Sequence, residues 1–95
     1  MRTELENSYK RDYKRALSQG IITETALLEL DTITQSLLLG KPLPPKYKDH
    51  PLKWDYAGYR DCHICADLVL VYKIQNDTLY LSRIGRHRDI FKKYK

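Results

Sequence analysis

All three histidines of this 95-residue chain lie in its second half, each inside a compact string. The strings are Tyr47-Lys48-Asp49-His50-Pro51-Leu52, Tyr59-Arg60-Asp61-Cys62-His63-Ile64 and Arg83-Ile84-Gly85-Arg86-His87; Asp67 follows the second and Phe91 the third. Three imidazoles, a carboxylate and an arginine can supply acid, base and phosphate charge stabilisation without a metal. RNA cleavage through the ribose 2′-hydroxyl needs those three things: a base for the hydroxyl proton, an acid for the leaving 5′-oxygen, and positive charge beside the phosphorane. His87 near Arg83, with Asp67, His50 and His63 close by, covers these roles, and general acid–base groups typically contribute about 10²–10⁴-fold each. On a small basic domain this collection points to a ribonuclease.

Taken singly, each residue has an ordinary alternative. His50 before a proline can be a loop residue bonded to backbone, Asp67 can cap a turn, Arg83 can be an edge charge, and His87 can be structural or solvated. Strand parity is what argues for convergence. In Tyr59–Ile64, Tyr59, Asp61 and His63 share one face, and Arg60, Cys62 and Ile64 the other. In Leu79–Ile84, Leu79, Leu81 and Arg83 share a face. If the run beginning at Leu68 pairs antiparallel with the last, Asp67, Arg83 and His87 gather at one end of the sheet, with His63 near them.

The net charge of +5 is concentrated at the chain end, where Arg83–Lys95 holds six basic residues against Asp89 alone. A clustered positive field attracts phosphate backbones or acidic proteins; a solubilising tail is the plainer reading. Lys48, Arg86, Arg88, Lys92 and Lys93 are the candidate RNA-binding cations, and Phe91 among them is a candidate base-stacking platform, with anchoring of a helix as the equal alternative. Tyr47, Tyr56 and Tyr59 are further stacking candidates. Cys62-His63-Ile64-Cys65 contains a C-x-x-C, but no second pair exists and alternation puts Cys62 and His63 on opposite faces, so no metal and no cofactor is expected. The two thiols would stand roughly 10 Å apart on a strand, too far for a disulfide. No signal-like or membrane-length apolar run is present. The expectation is a reduced, cytoplasmic protein without a membrane partner.

The elements that must position these groups are legible in outline. A weak edge strand is expected near Thr3–Glu6. Tyr9, Tyr13, Ala16 and Leu17 form one helical face ending at Gly20. Thr23 is an N-cap for a second helix with a stripe of Leu27, Leu30, Ile33, Leu37 and Leu38, stopped by Gly40 and three prolines. Residues 41–58 read as a long, ordered loop rich in Pro, Lys, Tyr and Asp, a length that in small domains accompanies function. Three strands follow, Tyr59–Ile64, Leu68–Ile74 and Leu79–Ile84, the last two a hairpin across Gln75-Asn76-Asp77. Arg88–Tyr94 is a possible short helix. The predicted fold is one α+β domain over residues 1–95, a helical hairpin packed on a small, mainly antiparallel sheet in the order β-α-α-β-β-β with a C-terminal helix.

The string from Leu43 to Leu52, then Tyr59–His63, Asp67, and Arg83–His87 with Phe91, resembles the YafQ branch of the RelE/ParE toxin superfamily over residues 4–92. The resemblance implies a RelE-like fold and a type II toxin–antitoxin toxin that enters the ribosomal A site and cuts mRNA without metal, leaving a 2′,3′-cyclic phosphate. It implies His50, His63, Asp67, Arg83, His87 and Phe91 as functional positions, with His87 as general acid and Arg83 on the phosphate. Asp67, His50 or His63 would act as base or position RNA. A cognate antitoxin with an acidic wrapping segment would be the protein partner. Three places depart from the branch pattern. Leu68 stands where Trp is frequent, Arg86 where a small polar residue is usual, and Trp54-Asp55-Tyr56 replaces a Gly-containing form. Arg86 would disfavour a proton on His87 by like-charge repulsion. Leu68 and Arg86 motivate the alternative of a catalytically degenerate binder of antitoxin or RNA; a ParE-like gyrase inhibitor is a further alternative, although three histidines are surplus to it.

Overall fold

The computed structural model describes residues 1–91. Strand β1 (Arg2–Leu5) leads into helices α1 (Asn7–Ser18) and α2 (Glu24–Leu38), followed by β2 (His50–Pro51), β3 (Arg60–Cys65), β4 (Leu68–Gln75), β5 (Thr78–Arg86) and helix α3 (His87–Ile90). The strands form one sheet in the order β1-β5-β4-β3-β2. Only the β1–β5 pair is parallel; the other pairs are antiparallel.

Local chemistry sets most boundaries. The Thr23 hydroxyl accepts a hydrogen bond from the Ala26 amide at 3.1 Å, capping α2 as its position suggested. Gly20 and Gly40 take φ of +71° and +70° just past the two helices, a conformation that costs other residues more. Asn76 and Asp77, both at positive φ, make the two-residue turn that matches the twist of the β4–β5 hairpin. The loop at 41–58 is ordered, as expected, and contains short regular elements. It holds two 3₁₀ turns, Pro45–Tyr47 and Trp54–Tyr56, and between them β2, a strand absent from the predicted order. A two-residue run ending in Pro51 leaves nothing for a periodicity argument to find. The terminal helix is also shifted: α3 begins at His87, and Lys92 and Lys93 lie outside the described residues.

The helices cover one face of the sheet. Ala16, Ala26, Ile33 and Leu37 pack there against Cys62, Leu70, Tyr72 and Ile84. The α2 stripe is narrower than expected, since Leu27 is 42% exposed and Leu30 only partly buried. Ala26 makes the close approach instead. Leu17 also faces out of α1. Tyr47, proposed as a free stacking residue, is instead 2% exposed in this core, its hydroxyl bonded to Glu29. The opposite face carries a second cluster of Val69, Val71, Ile90 and Phe91, with Leu52, Tyr56 and Tyr59 packed on it.

Two register shifts decide which side chains reach that second face. On β5, Leu81 pairs with Tyr72 but Arg83 with Val71, leaving Ser82 unmatched. Simple alternation put Leu79, Leu81 and Arg83 on one face. The bulge reverses parity after Leu81, so Leu81 joins the helical core and Arg83 lies on the Val71 side. The Ser82 carbonyl accepts from the Ser8 hydroxyl of α1 at 2.6 Å, which ties the bulge to the helix. A second shift at Ile64 lets both Ile64 and Cys65 pack toward the helices after His63 has pointed the other way.

Candidate active site

The second face of the sheet collects the titratable groups. His50 pairs with Asp61 across β2–β3, and Asp61 pairs in turn with Val71, opposite Arg83. A pocket of about 340 Å³ opens there, lined by His50, Leu52, Lys53, Trp54, Tyr56, Asp61, His87 and Phe91 among others. His63 stands one step along β3, its ring 6.3 Å from that of His87.

Each histidine is held differently. The His50 Nδ1 lies 2.7 Å from the Lys48 carbonyl. A carbonyl can only accept, so Nδ1 carries the hydrogen and the neutral ring presents its lone pair at Nε2. Lys48 itself takes a left-handed backbone, φ +50°, that aims this carbonyl. His50 Nε2 is 3.8 Å from Asp61 Oδ2. His87 opens α3; its amide donates to the Asp67 carbonyl at 3.1 Å, and its carbonyl accepts from Phe91. The His87 ring lies 4.8 Å from that of Phe91.

Asp61 is the residue that the sequence reading placed on the correct face and left out of the site. It is 1% exposed, and neither carboxylate oxygen has a hydrogen-bond partner among the described residues. Burial pushes its carboxyl above the usual carboxylate range, and His50, His63 and His87 pull it part of the way back. An uncompensated buried carboxylate facing three imidazoles is a signature of a functional site rather than of packing. A signal was available, because strand alternation puts Asp61 on the face of His63, beside core-bound Cys62.

Arg83 reaches the site indirectly. Its Nε donates to Asp12 Oδ2 at 2.6 Å and its Nη2 to Asp12 Oδ1 at 3.3 Å, while Nη1 donates to the Tyr56 hydroxyl at 2.9 Å. The bonds to Asp12 raise the Arg83 guanidinium, against a smaller opposing effect of burial. Asp12 is 6% exposed on a helix otherwise read as a simple amphipathic face, and it also accepts from the Ile84 amide. Tyr56 completes a connected path, since its ring stands edge-on to Phe91 at 5.7 Å.

The expected cluster of Asp67, Arg83, His87 and His63 therefore forms only in part. His87 and His63 are neighbours. Asp67 touches His87 through its backbone carbonyl, and its exposed side chain does not line the pocket. Arg83 is separated from the pocket by Tyr56. Phe91 is 7% exposed, packs with Val69, Val71 and Ile90, and also lines the pocket. Arg86 pairs with Leu68 and lines a small cavity with Asp12, Arg15 and Asp89, away from the histidine pocket. Arg88 and Lys48 are exposed near it. Gly85 lies within β5 and not in a turn, its Cα hydrogen toward Ile90. Cys62 is buried on the helical face, which pushes its thiol up and leaves it inert. Among the described residues, no three His, Cys, Asp or Glu side chains converge closely enough to hold a metal ion.

A family model for the bacterial toxin YafQ of type II toxin–antitoxin systems matches residues 1–92. The chain belongs to the YafQ family. It is similar to the putative toxin YafQ of Haemophilus influenzae, 48% identical over 90 residues that cover 87% of this chain and 88% of that protein. The mRNA interferase toxin YafQ of Escherichia coli K12 is 46% identical over 50 residues; that match takes in 53% of this chain and spans about half, 54%, of the relative's length. The crystal structure of the Escherichia coli DinJ–YafQ complex holds a similar chain, with a TM-score of 0.79 at 32% identity over 96% of this chain and 99% of that one. The YafQ match and the α+β architecture agree with the RelE-like fold expected from the sequence. Among the described residues, no helix is long and apolar enough to cross a membrane.

Proposed function

We propose that this type II toxin is an mRNA interferase, an endoribonuclease that cuts mRNA on the ribosome by attack of a ribose 2′-hydroxyl on the adjacent phosphate. The observation that carries the reading is the pocket on the free sheet face, where His50, Asp61 and His87 line one space and His63 borders it. The name of the Escherichia coli relative supports it.

His50 is the base. Its Nδ1 hydrogen is committed to the Lys48 carbonyl, so Nε2 is the atom that takes the 2′-hydroxyl proton. The imidazolium formed then faces Asp61 at 3.8 Å, and the buried carboxylate stabilises it. His87 gives a proton to the leaving 5′-oxygen, with its ring fixed by Phe91 and its backbone by the Asp67 carbonyl. Arg83, oriented by Asp12 and Tyr56, supplies positive charge behind the pocket wall for the phosphorane. His63 and Asp67 border His87 and position RNA. Lys48 and Arg88, with Lys92 and Lys93 from the basic chain end, attract the strand. The same basic surface suits an acidic antitoxin segment, and the DinJ–YafQ complex supports a cognate antitoxin as partner.

The test is 5′-end mapping of a reporter mRNA in a reconstituted translation reaction, comparing the wild type with His50→Ala and His87→Ala. In-frame cuts from the wild type and none from folded variants are expected. An uncut message with folded wild-type protein would overturn the reading, and inhibition of supercoiling by that protein would redirect it to gyrase.

A further inference from the structure

Trp54 is the single tryptophan of the chain and, among the described residues, the most exposed large apolar one, at 75%. It stands in the wall of the same pocket as His50, Asp61, His87 and Phe91. Its backbone φ is +53°, a region that a bulky side chain enters rarely and at a cost. The short turn Trp54–Tyr56 sends two aromatic rings different ways. Tyr56 packs inward on Phe91 and holds Arg83, whereas the indole stays at the mouth of the pocket.

The occupant is set by the surroundings. Exposed Lys53 adjoins Trp54 in the pocket wall and Lys48 lies beside His50, so the mouth combines a flat apolar ring with positive charge. That pairing suits an unpaired nucleobase on a phosphodiester chain, because stacking uses the ring face and the lysines meet the backbone. We propose that Trp54 is a specificity-determining residue, stacking on an RNA base next to the phosphate that is cut. This rests on the ribonuclease reading and adds to it the contact that selects the sequence. A purine offers the indole more area than a pyrimidine, so the stack favours a purine at that position.

The experiment compares wild type, Trp54→Gly, Trp54→Asn and Trp54→Phe in the translation reaction, with cut sites mapped and rates measured against toxin concentration. Gly and Asn tolerate the left-handed backbone, so neither variant should melt below the wild type by circular dichroism. Both should need about tenfold more toxin for half-maximal cleavage, keep the saturating rate, and lose purine preference. Trp54→Phe keeps a ring and should stay within about twofold of wild type. Unchanged cut sites and concentration dependence in the Gly and Asn variants would overturn the inference while leaving the ribonuclease reading intact. So would a Phe variant as impaired as Gly. An inactive wild type removes both.

Discussion

Replacing Asp61 by Asn should make the protein more stable and less active. The carboxylate is 1% exposed, neither oxygen accepts a hydrogen bond from a described residue, and the nearest histidine nitrogen is 3.8 Å away. Its carboxyl is raised by burial. A group with a raised folded value contributes most stability below its ordinary value, and that contribution is lost as pH climbs through the raised one. Wild type should therefore lose stability with rising pH relative to Asp61→Asn. An unsatisfied buried polar group costs about 1–3 kcal/mol. Asn keeps the shape and its amide is unpartnered too, so the gain is the excess cost of the charge, about 1 kcal/mol at pH 8, and each kcal/mol raises Tm by about 4–8 °C in a domain of this size. Thermal melts by circular dichroism from pH 5 to pH 8 measure it. In the cleavage assay the variant should lose about ten- to a hundredfold, because the imidazolium at His50 has no counter-charge. A variant that melts at or below wild type at pH 8, or whose advantage shrinks with rising pH, would refute the reasoning.

Asp12→Ala leaves the Arg83 guanidinium and the Ile84 amide without their acceptor. Breaking such a pair costs about 3–5 kcal/mol when fully buried, and the partial exposure of Arg83 reduces this to about 2–3 kcal/mol, readable by urea denaturation. Tyr56→Phe keeps the edge contact with Phe91 and removes the hydroxyl on Arg83; cleavage should fall about tenfold with Tm nearly unchanged. His87→Ala should abolish cleavage and growth inhibition while the fold survives, since its ring is on an exposed residue and its backbone bonds do not depend on the side chain.

Much of this protein is written locally. The helix limits at Thr23, Gly20 and Gly40, the hairpin at Asn76-Asp77 and the face shared by Asp61 and His63 all follow from properties of a few adjacent residues, and they are where the chain itself led. The histidine strings also suggested the chemistry proposed above, because three imidazoles beside an arginine suit acid–base work on a phosphate. Tertiary structure decided what local rules cannot reach. The unmatched Ser82 turned Arg83 to the opposite face from Leu81, and one extra residue in a period of two reverses every side chain after it. Asp12, 71 residues from Arg83, looked like a polar residue on a helix and became the anchor of the guanidinium. Asp61 became a site residue only when β2 brought His50 beside it and burial removed its water. Charge acts across the space between side chains, and that space exists only once distant strands and helices are packed.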